Sequence, residues 1–208
     1  MQNSYIVFDF ETTGLSPGVG DRAIEIAAVL VKDGVITDKF QSLMNPGKRI
    51  PAFIESYTGI TNSMISKAPS NAVSMKKFSQ FIGTTPLIAH NAAFDKKFLD
   101  AELGLIGEKA GQPVACSLRV ARRLYQDAHN HKLKTLIEHT QIKVSGEFHR
   151  ALADAEMTAQ LWLKMRSDII SKYKLQDASF DFMKLLSQTP KKDLLKFISK
   201  HSSRTTLS

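Results

Sequence analysis

Hydrophobic positions in the first part of the chain follow patterns typical of buried β-strands. Residues 4–10 and 23–31 are short segments rich in β-branched and aromatic side chains, a composition that favours strands. The dipeptide Asp33-Gly34 is a strong hairpin signal and predicts that residues 35–44 return beside the second strand. Glycines and a proline between residues 14 and 20 predict a loop. Together these segments predict an antiparallel meander.

The spacing of apolar residues changes to a helical period after residue 50. Helices are predicted over residues 51–57, 71–81, 92–103, 118–125, 134–139 and 152–172. Two brief apolar segments, residues 86–89 and 114–116, predict further strands between these helices. A meander followed by helices that alternate with short strands predicts an α/β domain with a mixed sheet.

The chain becomes more basic after Tyr173, where the longest predicted helix has ended. We therefore predict a domain over residues 1–173 and a basic C-terminal extension over residues 174–208. The extension contains one predicted amphipathic helix with Pro190 in its first turn. Such a helix can dock a partner, pack on its own domain or form a dimer contact. Its apolar side is formed by Leu194, Leu195, Phe197 and Ile198.

Composition excludes several classes of protein. Hydrophobic residues make up 43% of the 208 residues, which is enough for a core and rules out a disordered chain or a small stapled scaffold. The single cysteine, Cys116, excludes an intrachain disulfide and a cysteine-based zinc site. Apolar runs fall far short of a membrane span, and the N-terminus lacks the basic region of a secretory signal. The expected compartment is the cytoplasm.

The net charge of +8 suits a polyanionic partner, for which nucleic acid is the commonest candidate. Arg119, Arg122 and Arg123 share one face of a predicted helix. A solvated basic face is favoured there over a nucleic-acid contact, by roughly two to one. Glu25 lies inside an apolar strand and is interpreted as a structural polar residue that is paired within the fold.

Two carboxylates end the first predicted strand. Asp9 and Glu11 are two residues apart, so their side chains point to the same face. Such a pair is costly unless cations neutralise it. A solvated strand end is the ordinary explanation, but the apolar residues before the pair and the compact turn over residues 12–15 after it disfavour that explanation.

Two further clusters place an aspartate near the start of a predicted helix. His90, Asn91 and Asp95 lie where a strand passes into a helix, and Asp154 lies early in the longest helix, five residues after His149. The helix dipole alone explains an aspartate at such a position, although helix starts after strands are also common ligand sites. Because His149 and Asp154 are not neighbours on one helix face, they suggest separate roles, a mobile imidazole and a fixed carboxylate.

The three clusters together resemble the DEDDh exonuclease superfamily. The matching motifs are Asp9-x-Glu11-x-Thr13-Gly14, His90-Asn91-x-x-Phe94-Asp95 and His149-Arg150-Ala151-x-x-Asp154. Their order, spacing and strand or helix context match over about residues 4–170, and the likeness is strongest to the proofreading (epsilon) subunit of bacterial DNA polymerase III. A related branch has tyrosine in place of the histidine, so His149 puts this chain in the histidine branch.

This resemblance implies a fold, cofactors and a reaction. The fold would be an RNase H-like domain with a mixed five-stranded sheet. Asp9, Glu11, Asp95 and Asp154 would bind two divalent cations, and their hard oxygen atoms suit Mg²⁺ or Mn²⁺. The cations would activate water and stabilise the leaving 3′ oxygen, with His149 as general base. The product would be a nucleoside 5′-monophosphate from a DNA 3′ end, in proofreading, repair or turnover.

Substrate contacts are expected beside the metal ligands. The turn after Glu11 would present backbone N–H groups and an apolar wedge to the terminal nucleotide, and the residues around His90 would line the same pocket. Phe94 is equally compatible with the core. The expected contacts are Thr12, Gly14, Leu15, His90, Asn91 and Phe94.

Two alternative functions stay open at this point. A 3′→5′ exoribonuclease of the same superfamily has the same ligands, although the Thr-Thr-Gly turn is more similar to the proofreading branch and so favours DNA. The expected partner is a single-stranded or frayed 3′ end of nucleic acid. A non-catalytic module that binds nucleic acid or docks a polymerase is disfavoured, because all four acidic residues and His149 are present. Residues 174–208 are a candidate contact for a polymerase or another protein partner.

Overall fold

The computed structural model describes residues 4–143 and 150–202, and within these ranges five strands form one sheet. The strands are β1 (Ser4–Thr12), β2 (Ala23–Lys32), β3 (Val35–Leu43), β4 (Leu87–Ala89) and β5 (Val114–Cys116). In the sheet order β3-β2-β1-β4-β5, the pairs of β2 with β1 and β3 are antiparallel, and the pairs of β4 with β1 and β5 are parallel. The predicted mixed sheet is confirmed, with β1 at its centre.

Helices cover both faces of the sheet. In chain order they are α1 (Ala52–Thr58), α2 (Asn62–Ser66), α3 (Asn71–Ile82), α4 (Ala92–Gly104), α5 (Ser117–Leu124), α6 (Leu133–His139), α7 (Ala151–Tyr173), α8 (Phe180–Gln188) and α9 (Leu194–Ser202). The 23-residue α7 packs across β1 and β2 on one face, whereas α3 and α4 pack on the other. Across the described ranges, no helix has both the length and the apolar character needed to cross a membrane.

Alternating side chains of β1 supply both halves of the core. Phe8 and Phe10 point into the cluster shared with α3 and α4, whereas Val7 points into the cluster shared with α7. Because strand side chains alternate, Asp9 and Glu11 continue the α7 side beyond its last apolar residue. The register of β1 therefore places both carboxylates under α7.

Two helices lie where the sequence predicts none. The short α2 is capped by Thr61, whose hydroxyl accepts a hydrogen bond from the Met64 N–H, and α8 is capped in the same way by Ser179. With five residues, α2 is too short to display a helical period. The prediction of one helix in residues 174–208 is wrong, because both α8 and α9 form there.

The two C-terminal helices pack on the domain through their apolar sides. Phe180, Met183 and Leu186 of α8, together with Leu194 and Ile198 of α9, belong to the core cluster beneath α7. Of the three roles that the sequence leaves open for this segment, packing on its own domain is the one found in the described residues. The division between residues 173 and 174 stays a prediction.

Arg123 connects the C-terminal helices to the domain. It is buried, its Nε donates to the carbonyl of Thr189 at 2.6 Å, and its Nη1 donates to the carbonyl of Arg119. The expected solvated face is therefore wrong for Arg123, because the chain between α8 and α9 covers it. Arg119 and Arg122 are exposed.

Candidate active site

Three carboxylates converge where β1 ends. Asp9 and Glu11 leave β1 on the side that faces α7, and Asp154 lies in the first turn of α7. One carboxylate oxygen from each of the three residues lies within 4.8 Å of the other two. Glu11 is buried, and Asp9 and Asp154 are half-buried. The structure thus brings together three of the four predicted metal ligands.

Asp95 approaches the same point from the other side of β1. It lies in the first turn of α4 and is 2% exposed. Its Oδ1 accepts a hydrogen bond from the Phe10 N–H at 3.3 Å, so it is held against the backbone between Asp9 and Glu11. Although Asp95 lies outside the group of three within 4.8 Å, its charge raises the pKa of both neighbours.

Burial and mutual repulsion raise the pKa of these carboxyl groups. Burial, followed by the charges of Asp154 and Glu25, raises the pKa of Glu11 to about 8. Burial and then the charge of Asp95 hold the pKa of Asp9 well above its usual range, and burial raises the pKa of Asp95 to about 7. Such a cluster ionises fully only when positive charge neutralises it.

The donor set fits a hard divalent cation. Every candidate ligand atom in the group is a carboxylate oxygen, the donor that Mg²⁺ and Mn²⁺ prefer. The raised pKa values of these carboxyl groups also support a cation site, because a bound cation would take the place of the protons that the groups otherwise retain. Asp9, Glu11 and Asp154 could therefore hold a metal ion.

The raised pKa values predict how stability depends on pH. Without divalent cations, folded Glu11 keeps its proton up to a pKa of about 8, compared with an ordinary value of 4.5. Between these values the folded state binds more protons than the unfolded state, so this contribution to the free energy of unfolding is lost as the pH rises. Divalent cations bind the ionised form, so their stabilising effect should grow over the same range.

Thermal unfolding in EDTA and in MnCl₂, followed from about pH 5 to about pH 8, measures this dependence. We expect the melting temperature in MnCl₂ to exceed that in EDTA by a margin that widens with pH. Taking the difference at each pH cancels the titration of groups remote from the site. A margin that stays constant or narrows would contradict the assignment.

A buried network fixes the start of α7 behind these carboxylates. Glu25 of β2 is fully buried and lies opposite Glu11 in the strand register. Its carboxylate accepts hydrogen bonds from Nη2 of Arg150 and from the Ala151 N–H, each at 3.1 Å, and from Nε2 of Gln41 at 2.9 Å. The predicted pairing of Glu25 within the fold is confirmed. Arg150 at the N-cap position makes no side-chain cap. Glu25 caps α7 instead, because its carboxylate accepts from the N–H of Ala151, the first residue of the helix.

The turn after β1 is held by its own side chains. The Thr12 hydroxyl donates to the carbonyl of Gly14 at 2.6 Å, and the Asp21 carboxylate accepts from the Ser16 N–H at 3.0 Å. A Cβ at Gly14 would lie 2.5 Å from Oδ2 of Asp21, so a larger residue would displace this carboxylate from the turn. Leu15 is left 78% exposed at the tip of the turn, where the predicted wedge should be.

The other predicted substrate contacts lie in different environments. Both ring nitrogens of His90 are hydrogen-bonded within the protein, Nδ1 to the Ser117 hydroxyl at 2.8 Å and Nε2 to the His131 carbonyl at 3.0 Å. Asn91 is exposed with φ of 67° and does not cap α4 through its side chain. Phe94 is half-buried and packs against the core under α4, the alternative that its sequence position left open.

A cavity of about 850 Å³ opens beside Asp9 and Asp154. It reaches His90 and Asn91, which the sequence analysis placed in the substrate pocket. Other polar and aromatic residues that line the cavity were not predicted from the sequence as part of the site. They include Tyr57, Arg122, Asn130, Lys132 and Lys134.

Tyr57 gives this cavity an aromatic wall. It is 52% exposed, and its ring is stacked with that of Phe53 at a centroid distance of 6.0 Å. Burial and then the charges of Glu11 and Asp154 raise the pKa of Tyr57, which places its hydroxyl within electrostatic reach of the carboxylates. The signal that could have revealed it is an aromatic pair four residues apart on a short helix.

His149, the predicted general base, lies outside the described residues. The description of this part of the chain resumes at Arg150. The role of His149 therefore stays a prediction.

The sheet order, the acidic cluster and the adjoining cavity define a nuclease domain of the RNase H-like class. The sequence matches the RNase_T family, described as exonuclease, over residues 6–162. The chain belongs to this exonuclease family.

Proteins related to this chain by sequence include bacterial DNA polymerases. The chain is 42% identical over 172 residues to the DNA polymerase III PolC-type of Bacillus cereus, and 44% identical over 173 residues to that of Bacillus subtilis. Each alignment covers 82% of this chain but 12% of the relative. The chain therefore corresponds to a small part of each of these polymerases.

Solved structures share the fold. Exonuclease X in complex with 5′ overhanging duplex DNA has a TM-score of 0.69 at 24% identity, covering 88% of this chain and 99% of that one. The nuclease domain of 3′hExo, a DEDDh family member bound to rAMP, has a TM-score of 0.69 at 23% identity, covering 79% of this chain and 92% of that one. These likenesses confirm the predicted RNase H-like fold.

The predicted relationship is confirmed by these findings. The chain is an exonuclease domain related to part of the DNA polymerase III PolC-type proteins. The relatives reported above are of the PolC type. The predicted enzyme class, a phosphodiester hydrolase, is confirmed with it.

Proposed function

We propose that this domain shortens DNA from its 3′ end and releases nucleoside 5′-monophosphates with the help of two divalent cations, Mg²⁺ or Mn²⁺. The convergence of Asp9, Glu11 and Asp154 within 4.8 Å carries this proposal, and Asp95 on the Phe10 backbone would complete the ligand set. Four carboxylates neutralised by two cations make a site that accepts a phosphodiester. The cations, when bound, would activate water and stabilise the leaving 3′ oxygen.

His149 would act as the general base. An imidazole titrates near neutral pH, so it can take a proton from the attacking water and pass it to solvent. The anchoring of Arg150 by Glu25 supports this role, because it fixes the chain directly after His149. The carboxylate of Asp154, one turn further along, would then stay fixed while the imidazole moves.

The terminal nucleotide would be bound by the turn and by the aromatic wall of the cavity. Tyr57 offers a ring face on which a base can stack, a contact that tolerates every base. Leu15 and the backbone of Thr12 and Gly14 would meet the nucleotide from the turn. Asn91 would contact it from the start of α4. His90 would shape the pocket through its contacts with Ser117 and His131 rather than by direct contact.

DNA is the favoured substrate because relatives at more than 40% identity are named DNA polymerases. Single-stranded or frayed 3′ ends suit a cavity with one stacking wall. RNA is the second candidate, since the 3′hExo domain bound to rAMP has the same fold. Proofreading, repair and turnover are all compatible with this chemistry.

A polymerase partner that binds through residues 174–208 stays a prediction. The PolC-type relatives favour a polymerase context, whereas much of the apolar surface of α8 and α9 is already used against the domain. In the described part of this segment, which ends at residue 202, Leu185 and Leu195 are the exposed large apolar side chains. We place the reaction in the cytoplasm, where the polymerase relatives would find their DNA.

An oligonucleotide labelled at its 5′ end tests the proposed reaction. We expect a ladder that shortens from the unlabelled 3′ end in Mg²⁺ or Mn²⁺, and no ladder in EDTA. The His149→Ala variant should lose about 10²- to 10⁴-fold in rate, as is usual when a general base is removed. Parallel DNA and RNA strands of one sequence measure the preference between sugars. Cleavage from the 5′ end, or full activity in EDTA, would contradict the proposal.

A further inference from the structure

The cavity beside the metal site has two chemically different parts. Asp9 and Asp154, from β1 and α7, form its acidic part, whereas Arg122, Lys132 and Lys134, from α5 and the start of α6, form its basic part. We call these three cationic residues the basic wall. A cavity that is acidic in one part and basic in the other suits a ligand that brings both a metal-bound phosphate and further anionic groups.

The sheet topology gives this cavity a direction. In the parallel part of the sheet, β1 carries Asp9 near its carboxyl end, β4 is followed by His90, and β5 is followed by Ser117. Ligands of α/β sheets bind outside the carboxyl ends of the strands. The cavity follows this edge from β1, past β4, to the basic wall at the last turn of α5 and the start of α6.

Hydrogen bonds of His90 connect the basic wall to the edge of the sheet at which the parallel strands end. Its Nε2 is bonded to the carbonyl of His131, the residue before Lys132, and its Nδ1 to the hydroxyl of Ser117 at the start of α5. Burial lowers the pKa of His90 to about 4, so the ring is neutral and both nitrogens serve these bonds. The segment is fixed further because Nε2 of His131 is bonded to the carbonyl of Tyr125 at 2.9 Å.

Two cations of the basic wall, Arg122 and Lys132, contrast with those lysines of the molecule that form ion pairs. Lys96 is paired with Asp100, and Lys164 with Asp168. Within the described ranges, Arg122 and Lys132 are exposed and take part in no salt bridge. Exposed cations that converge on a cavity beside a phosphodiester-cleaving site are positioned to contact backbone phosphates.

We infer that the basic wall binds the phosphates of the substrate strand on the 5′ side of the bond that is cut. This inference rests on the proposed function, and it adds the path by which the strand leaves the metal site. The strand would run along the carboxyl ends of β4 and β5 towards α6. Its binding through phosphates would be independent of sequence, as a nuclease that removes successive nucleotides requires.

A double variant, Lys132→Gln with Lys134→Gln, tests the path on two substrates. Thymidine 5′-monophosphate p-nitrophenyl ester has one phosphodiester and no strand beyond it, whereas a twenty-residue oligothymidylate reaches the wall. We expect kcat/KM for the oligonucleotide to fall about tenfold more than kcat/KM for the ester, which corresponds to about 1.4 kcal/mol for the two exposed contacts together. We expect this fall in kcat/KM to come from a higher KM rather than from a lower kcat.

Salt dependence gives a second, independent readout. Each phosphate contact to a single strand contributes about 0.7 to the slope of log affinity against log salt, so the double variant should lose about 1.4. Binding of a fluorescent oligothymidylate in EDTA, followed by anisotropy, measures this slope without catalysis. The matched control, Lys77→Gln with Lys109→Gln, removes the same charge. Both lysines are exposed, Lys77 on the other side of the sheet and Lys109 near the opposite end of β4.

The outcomes separate the inference from the proposed function. Equal losses on ester and oligonucleotide, or an unchanged salt slope, would overturn the basic wall while leaving the nuclease intact. An oligonucleotide that binds with the expected slopes but is never cut would support the basic wall and overturn the proposed reaction. The same slope change in the control variant would show a general charge effect and would also overturn the inference.

Discussion

Asparagine in place of Asp154 is expected to lower kcat/KM for 3′-end cleavage by about 10³-fold or more. A catalytic metal site supplies several kcal/mol of charge stabilisation, and each 1.36 kcal/mol is a factor of ten. Asp154 shares the 4.8 Å group with Asp9 and Glu11, so the substitution keeps the shape of the side chain but removes a ligand charge. Initial rates on a 5′-labelled oligonucleotide at saturating MnCl₂ give the measurement.

Glu156→Gln is the matched control for this variant. Glu156 lies two residues further along α7 and forms an ion pair with Lys39 of β3, away from the group of three. Both variants remove one negative charge from the same helix, so a general effect of charge would appear in both. We expect the control to keep wild-type rates, and comparable losses in the two variants would contradict a special role for Asp154.

The stability of the Asp154→Asn protein distinguishes lost chemistry from lost folding. The charge of Asp154 raises the pKa of Asp9, Glu11 and Asp95, so removing it relieves repulsion in the metal-free protein. We expect an equal or higher melting temperature than wild type in EDTA, together with a smaller increase on addition of MnCl₂. A variant that melts earlier in EDTA would trace the loss of activity to unfolding.

The acidic site could be predicted because local rules determine most of its geometry. The alternation of a strand places Asp9 and Glu11 on one face from their spacing alone. A strand followed by a helix places Asp95 at a helix start beside the sheet edge, whereas Asp154 is predicted only from its place near the start of the longest helix. The convergence itself came from the family resemblance rather than from spacing, since no local rule brings α7 over β1.

The parts of the site that escaped prediction depend on contacts between distant segments. Lys132 precedes a predicted helix and Lys134 begins it, but nothing local shows that they line the same cavity as Asp9; the bond from His90 to His131 across 41 positions brings this segment there. Helix α8 escaped because its apolar residues cover the edge formed by α5 and β5, a surface that exists only after folding. Such partners are set by tertiary packing rather than by propensity.

Glu25 shows both what local sequence rules predict and what depends on contacts between distant segments. Its position inside an apolar strand predicts a paired structural residue, but its partner Arg150 is 125 positions away. The structure adds a consequence that the sequence does not contain. One carboxylate neutralises a guanidinium, caps α7 and lies beside Glu11 in the register, so the start of α7 depends on β2, the neighbour of β1 in the sheet.

Alanine at Glu25 is therefore expected to destabilise the protein by about 1–3 kcal/mol, the usual cost of leaving buried hydrogen-bonding groups without a partner, since the Arg150 side chain is 39% exposed. The substitution would leave the guanidinium of Arg150 and the Ala151 N–H without their acceptor, and it would open space in the core. Urea unfolding followed by circular dichroism measures the loss. The exposed pair of Lys96 and Asp100 is the control, and Asp100→Ala should cost about 0–1 kcal/mol.

A double-mutant cycle with Arg150→Met shows how much of this loss belongs to the pair. If the penalty of Glu25→Ala comes mainly from an uncompensated charge, removing that charge as well should recover part of it, and the coupling energy should reach about 1 kcal/mol or more. Glu25→Gln should fall between wild type and alanine, because its carbonyl can still accept from the Ala151 N–H. Additive losses in the cycle would show that Glu25 acts by packing and capping alone, and Arg150 would then owe its place to other contacts.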